Sequence, residues 1–495
     1  MGNKSSVGGK VIETHTETAP WDTSEVAAMP FPEGGIVADV IGVGGDEGVR
    51  RAHYTSQGVI EELIPLRWVT IKGHRCHDPE FIRETTASGT ALAGPQGIYT
   101  GGLPGASIFF ADKQGELVGP VLDYLELQHH GNEMMKWIEE RCGSLLELYL
   151  ATEGAIVRNA FFQPWCVAKF LVDEGMVEPE QVHTVATLAD LWTAAAQGVK
   201  SYQVDWVSAK SQGLHDTGDT AEIFAKLGLS WMYEATLNVG FFGELELLWA
   251  PNGCRVMPVS HDSYFARVMA FLVTEMMGLS RIEWGVWTGG WSGVMRRILR
   301  DEEVDPSEAT FEANLAFEGN DDQMFAITNA CLLGGFYKEL VQRGVRCSFI
   351  PAESSYEAAA SETHKFLKRA KLLELDGVSP AVKPGDLVAQ RGFGLALADT
   401  VYTHAKLCAD QAKAGAELLG DRVPCTVAVS GGWGLNSASD QAFRDQGLEL
   451  ATTRHVASTT HDGAATLAYC LWSRYQGFPA TRVWAARKIY TLRDL

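Results

Sequence analysis

Two short stretches in opposite halves of this sequence follow one plan, an apolar run that ends in glycines. The first is "GGIVADVIGVGG" (Gly34–Gly45). The second is "CTVAVSGGWGLN" (Cys425–Asn436), after which a helical pattern begins. A continuous apolar run closed by turn residues reads as a buried strand of an α/β sheet. Its repetition predicts two related α/β domains. A chain of 495 residues is also too long for one ordinary core. The expected division is a variable leader over residues 1–33, an N-terminal domain over 34–252 and a C-terminal domain over 253–495. No long linker separates the halves, so they are expected to pack with a cleft between them.

Charge narrows the partners. Lys and Arg number 41 against 62 Asp and Glu, a net charge of −21. That balance argues against nucleic acid and against an anionic membrane surface. It leaves room for a phosphate held by backbone N–H groups at glycine turns. The 9 cysteines are scattered and form no CxxC pair, which fits a reducing cytoplasm. "HRCH" (His74–His77) lacks a second cluster at ligand spacing and reads as a surface loop more than a metal site. No apolar run reaches the roughly 18 residues of a membrane span, and the start has no signal-peptide core. "MGNKSS" has the outline of a myristoylation site at Gly2 without polybasic support, and reads as part of a polar leader.

Within the first half, "ASIFFADKQGELVG" (Ala106–Gly119) predicts a strand, a Lys-Gln-Gly turn and a second strand. "EMMKWIEERC", "LLELYLA" and "FQPWCVAKFLVDEG" predict helices. The segment "RVMPVSHDSYFARVMAF" (Arg255–Phe271) reads as a strand feeding a helix, with Phe265, Val268, Met269 and Leu272 on one helical face. Asp262 stands at the joint. It is either the helix N-cap or a catalytic carboxylate, and the two are compatible, because a helix N-terminus keeps a carboxylate ionised and fixed. Asp39 has two readings as well. It is either a strand-terminal carboxylate suited to a hydrated Mg²⁺ or a turn residue beside glycines.

Five segments then follow in order: "SHDSYFA" (Ser260–Ala266), "TGGWSG" (Thr288–Gly293), "NLAFEGNDD" (Asn314–Asp322), "SGGWGLN" (Ser430–Asn436) and "STTHDGAA" (Ser458–Ala465). They are similar to the "THDTASA", "SGTWS", "NEGG", "GGGSRN" and "EATALGAA" segments of the FGGY carbohydrate kinases, members of the actin-like ATPase superfamily. The chain resembles that family over roughly residues 34 to 470, nearest its rhamnulokinase and fuculokinase branches. The resemblance implies two actin-like (ribonuclease H-like) α/β domains with an interdomain cleft. It implies ATP-dependent phosphorylation of a ketose or related polyol, with ATP and Mg²⁺ as cofactors. A small-molecule sugar is then the partner, and a homodimer stays open.

The resemblance also assigns roles. Asp262 is the general base. His261 orients it or touches the sugar, or only fills the loop. Asp123, Tyr124 and Glu126 of "LDYLELQHH" lie in the sugar region. Thr288, Gly289 and Gly290 meet the ATP phosphates. Gly431, Gly432 and Asn436 meet the adenosine, and Asp39 holds the metal. Trp291 and Trp433 either stack on ligands or pack. Ser208, Lys210 and Gln212 either touch the sugar or serve the fold. The sequence departs from the family in two places. The first phosphate motif, "DxGTxxxR" in the family, is "ADVIGVGGDEGVRR" here. Arg50 or Arg51 takes the place of the arginine after an insertion, and Asp46 is a second candidate for the metal. The sugar region lacks the arginine of the family's Tyr-Arg-Asp. Two rival classes remain: a non-catalytic sugar or nucleotide sensor or scaffold, and an actin-like ATPase without sugar chemistry.

Overall fold

The computed structural model describes residues 23–42, 48–103, 107–123, 126–127, 130–143, 164–204, 214, 220–241, 246–276, 284–289, 293–298, 322–326, 402, 405–406, 426–430, 437–452 and 459–493. After a short helix α1 (Thr23–Ala27), the apolar run becomes β1 (Ile36–Gly42). It pairs antiparallel with β2 (Gly48–Thr55), which pairs antiparallel with β3 (Gly58–Pro65). A hairpin of β4 (Trp68–Ile71) and β5 (His74–His77) leads into α2 (Pro79–Ala93). Asp78 caps that helix by accepting from the Glu80 N–H, with Pro79 in the first turn. Then come β6 (Ile98–Leu103), β7 (Ile108–Ala111), β8 (Val121–Leu122), α3 (Gly131–Cys142), α4 (Pro164–Asp173), β9 (Thr184–Thr187) and α5 (Leu188–Gln197). A two-stranded ladder joins β10 (Gln203–Val204) to β11 (Gly240–Phe241). The predicted helix at 145–151 lies outside the described residues.

The first sheet is completed late in the chain. β12 (Leu248–Trp249), β13 (Arg255–Val256) and β14 (Ser260–His261) join it through β6, and α6 (Asp262–Met276) follows at once. The boundary expected at Gly253 therefore falls between two paired strands of one sheet. A second sheet holds β15 (Trp284–Gly289), β16 (Gly293–Ile298), β17 (Asp322–Ala326), β18 (Thr426–Ser430) and β19 (Glu449–Thr452). Between β18 and β19 runs α7 (Ser437–Asp445), and the described chain closes with α8 (Thr459–Tyr475) and α9 (Arg482–Arg493).

The two sheets share one plan. The first runs β3-β2-β1-β6-β13 and the second β17-β16-β15-β18-β19. In both the second strand is antiparallel to the first, and the fourth and fifth are parallel to it. This is the ribonuclease H-like strand order, present twice. The duplication expected from the glycine-ended runs is thus found, with one correction. Within "CTVAVSGGWGLN", Thr426–Ser430 is the fourth strand of its sheet, so its counterpart is β6, "IYTGGL", and the counterpart of β1 is β15. Central strands covered on both faces all read as apolar runs, so the pattern alone does not distinguish their ranks.

Helices cover both faces of the first sheet. Val37, Val49 and Tyr99 face a core shared with α2 and α5, while Ile36, Ala38, Ala52, Tyr54 and Ile98 face α6, α8 and α9. Phe265, Val268, Met269 and Leu272 are buried on α6, the face the sequence predicts. That helix also touches β15, β18 and β19, so it packs against both sheets. Among the described residues no helix is long and apolar enough to cross a membrane.

Candidate functional site

The joint between β14 and α6 is built from below. Ser260 and His261 pair in parallel with Gly102 and Leu103 at the end of β6. Gly102 permits the close approach. A Cβ there would lie 3.2 Å from Asp262 Cα, 3.3 Å from Phe265 Cδ2 and 2.8 Å from Thr460 Cγ2 at the start of α8. The approach to the joint is pinned twice, by Met257 N–H donating to the Tyr99 carbonyl at 2.9 Å and by Val259 N–H donating to Thr193 Oγ1 on α5 at 2.9 Å. Asp262 is the first residue of α6, and its Oδ1 lies 2.8 Å from His261 Nδ1. That spacing fits an Nδ1–H donated to the carboxylate, which fixes the imidazole against it. The Asp262 side chain is 34 % exposed and that of His261 16 %, so the pair reaches the surface with a rigid floor beneath it.

The two segments expected to meet phosphate are equivalent hairpins. Gly42 pairs with Gly48 at the end of the β1–β2 ladder, and Gly289 with Gly293 at the end of the β15–β16 ladder. Thr288 and Gly289 are the last residues of β15. Gly290, Gly431, Gly432, Asn436 and Tyr124 lie outside the described residues, as do Asp46, Trp291, Trp433, Ser208, Lys210 and Gln212.

Asp39 does not end its strand. It sits mid-way along β1, directly across the register from Arg51. Arg51 Nε donates to Oδ1 at 2.7 Å and Nη2 to Oδ2 at 2.8 Å; the Tyr99 hydroxyl also donates to Oδ2 at 2.8 Å. The side chain is fully buried. Burial pushes its carboxyl above the usual range, opposed by the hydrogen bonds and charge of Arg51 and by the bond from Tyr99. A magnesium ion needs open oxygen ligands in near-octahedral geometry, and this carboxylate has its oxygens committed inside the protein. The residues here do not fit the ion. Of the two candidate arginines, Arg51 is the one that pairs with Asp39, while Arg50 is exposed.

In the segment expected to meet the sugar, Asp123 and Glu126 come together around an arginine the sequence reading missed. Arg75 on β5 donates to Asp123 Oδ2, its Nε lies 4.0 Å from Glu126 Oε1, and its guanidinium sits 4.6 Å from the Trp68 ring. His74 Nδ1 lies 3.6 Å from Glu126. "HRCH" is therefore a strand, not a surface loop. The signal was present: "WVTI" and "HRCH" flank Lys72-Gly73, whose φ of 49° and 89° make a two-residue hairpin turn. Burial lowers His77 to about 4, against the pull of Asp123. Among the described residues no group of three or more His, Cys, Asp or Glu side chains is arranged to hold a metal ion.

Comparison with solved structures places this fold. The ligand-bound xylulose kinase of Lactobacillus acidophilus superposes with a TM-score of 0.56 at 12 % identity, covering 93 % of this chain and 96 % of that one. The gluconate kinase of the same organism gives the same figures, a TM-score of 0.56 and 12 % identity over 93 % and 96 %. The xylulose kinase of Rhodospirillum rubrum gives 0.54 at 15 % identity over 91 % and 92 %. The chain has the two-domain α/β fold of these sugar kinases. No protein-family model matches the sequence, and no curated protein matches it.

Proposed function

We propose that the chain is an ATP-dependent carbohydrate kinase that phosphorylates a ketose or related polyol, with Asp262 as general base. The observation that carries this reading is the His261–Asp262 pair, held at 2.8 Å at the head of the helix that packs against both sheets. Phosphoryl transfer asks little covalent chemistry of a protein. It needs positioning, charge stabilisation and an acceptor for the hydroxyl proton. A substrate hydroxyl beside Asp262 gives its proton to the carboxylate while its oxygen bonds to the γ-phosphorus. The bond to the ADP oxygen breaks, and the product is a phosphate ester. His261, donating to Oδ1, keeps the base oriented for that proton.

In this reading the N-terminal domain takes the sugar and the C-terminal domain the nucleotide. Asp123 and Glu126, with Arg75 in place of the family arginine, hold sugar hydroxyls together with Tyr124 and His261. Thr288, Gly289 and Gly290 offer N–H groups and a hydroxyl to the phosphates, and Gly431, Gly432 and Asn436 receive the adenosine. The family resemblance implies magnesium with the nucleotide; Asp39 does not fit it here, and no step is assigned to that residue.

A second reading, a non-catalytic sugar or nucleotide sensor, is favoured by the closure of Asp39 onto Arg51. ADP release measured with and without a panel of ketoses and polyols separates the two. Sugar-dependent release supports the kinase. Binding of sugar or nucleotide without release sinks it in favour of the sensor, and sugar-independent release would mark a plain ATPase.

A further inference from the structure

We propose that Asp39 serves the reaction from a distance, as the anchor of a buried hydrogen-bonded train that positions Asp262, and not as a metal ligand. This rests on the kinase reading of Asp262. The train starts at α2, where Arg51 Nη1 donates to Ser88 Oγ at 2.9 Å and Nη2 to the Thr85 carbonyl at 2.7 Å. The same guanidinium grips both oxygens of Asp39 at 2.7 and 2.8 Å. The Tyr99 hydroxyl on β6 donates a hydrogen bond to Asp39 at 2.8 Å and accepts one from the Trp192 indole N–H at 2.6 Å. Trp192 lies on α5, and here the helix backbone, not a hydrogen bond, carries the line to its neighbour Thr193. The Thr193 hydroxyl donates to the Ala189 carbonyl at 3.0 Å and accepts the Val259 N–H at 2.9 Å. Val259 is two residues before His261.

Each group in this line has one role to play. The arginine and the indole only donate, the carboxylate only accepts, and the three hydroxyls, of Ser88, Tyr99 and Thr193, each donate once and accept once. Tyr99, Trp192, Thr193 and Val259 are all buried, so water does not compete for these bonds. Tyr99 acts twice, because its carbonyl also accepts the Met257 N–H at 2.9 Å. The segment 257–259 is thereby tied to β6 on one side and to α5 on the other, immediately before the base. A catalytic group is only as well placed as the shell that supports it.

The test is a pair of substitutions at Thr193 and a metal titration. Thr193→Val keeps the shape and removes the acceptor. It is expected to lower kcat for sugar-dependent ADP release about tenfold to a hundredfold, with KM for sugar unchanged, and Thr193→Ser is expected to restore it. An unchanged kcat in Thr193→Val, or no rescue by serine, overturns the positioning role. Asp39→Asn in an Arg51→Met background avoids leaving a buried charge alone. Its Mg²⁺ requirement for nucleotide binding, read by calorimetry, is expected to match the wild type. A rise of about tenfold or more would return Asp39 to the metal. Should the wild type show no sugar-dependent turnover, the kinase reading fails, and the train is judged alone by the ring resonances of His261. Thr193→Val should move them and Thr193→Ser should not; resonances that Thr193→Val leaves in place refute it.

Discussion

Asp39 and Arg51 face each other across the antiparallel register of β1 and β2, and the guanidinium closes on both carboxylate oxygens at 2.7 and 2.8 Å with no water-exposed edge. In the sequence these residues looked like the two ends of a phosphate-binding motif. In the structure they are partners inside the sheet, because β1 runs three residues past Asp39 to Gly42.

That pairing has a stability signature. Removing one partner of a buried pair strands the other charge, at a cost of about 3–5 kcal/mol, whereas replacing both by apolar groups of similar volume is roughly neutral. Asp39→Ala should therefore lower stability by about that amount, and Asp39→Leu with Arg51→Met should recover most of it. Urea denaturation of the three proteins checks this. A single mutant as stable as the parent would mean that the pair is not closed in solution.

Gly102 should prove intolerant of the smallest side chain. An alanine methyl would press on Thr460 at 2.8 Å and on the Asp262 backbone at 3.2 Å. Overpacking of this kind costs about 1–3 kcal/mol, and a displaced base costs about a hundredfold in rate. Gly102→Ala is expected to lose more activity than its modest fall in melting temperature explains. Parallel melting curves and initial rates decide the matter, and an alanine variant with parental kcat refutes the close-packed floor.

The sequence revealed the class of the fold because both sheets are built from central strands, and covered strands declare themselves as apolar runs. The helix of Asp262 was legible for the same reason, since Phe265, Val268, Met269 and Leu272 repeat at the helical period. What was hidden depends on register and reach. Nothing in "ADVIGVGGDEGVRR" says that Asp39 stands opposite Arg51, because the register of β1 with β2 sets that pairing. Arg75 and Asp123 are 48 positions apart, and only the pairing of β5 with β8 brings them together. Thr193 carries no motif at all; its role comes from the crossing of α5 beneath residue 259.

Two buried histidines predict the pH dependence of stability. Burial lowers both His77 and His461 to about 4. His461 stays neutral while its Nε2–H donates to the Arg50 carbonyl at 3.0 Å. An unfolded histidine titrates near 6.5. Below that value the unfolded chain takes up protons that the folded one refuses, so these two residues stabilise the fold above pH 6.5 and lose that contribution as pH falls toward 4. Each full shift is on the order of 3 kcal/mol. Stability measured by denaturant should fall from pH 7 to 4, and His461→Gln should flatten the slope. An identical slope in that variant would show that His461 is protonated in the folded state.

The sharpest prediction falls on Asp262. Asp262→Asn keeps the size of the side chain and offers His261 Nδ1–H an amide oxygen in place of the carboxylate, so the joint between β14 and α6 has no reason to rearrange. The side chain is 34 % exposed, so water reaches the amide that replaces it. Folding and nucleotide affinity should therefore match the parent. The amide cannot take up a proton from the substrate hydroxyl, and the loss of a general base costs roughly 10²–10⁴ in rate. Because the proton moves only in the transition state, the fall should appear in kcat and leave KM for the sugar close to its parental value. Initial rates of ADP release, taken beside a melting curve and a nucleotide titration, test all three points together. A folded Asp262→Asn protein that turns over at the parental rate removes Asp262 from the chemistry. A variant that folds and turns over slowly but has also lost its sugar affinity would make the carboxylate a binding group instead of the base.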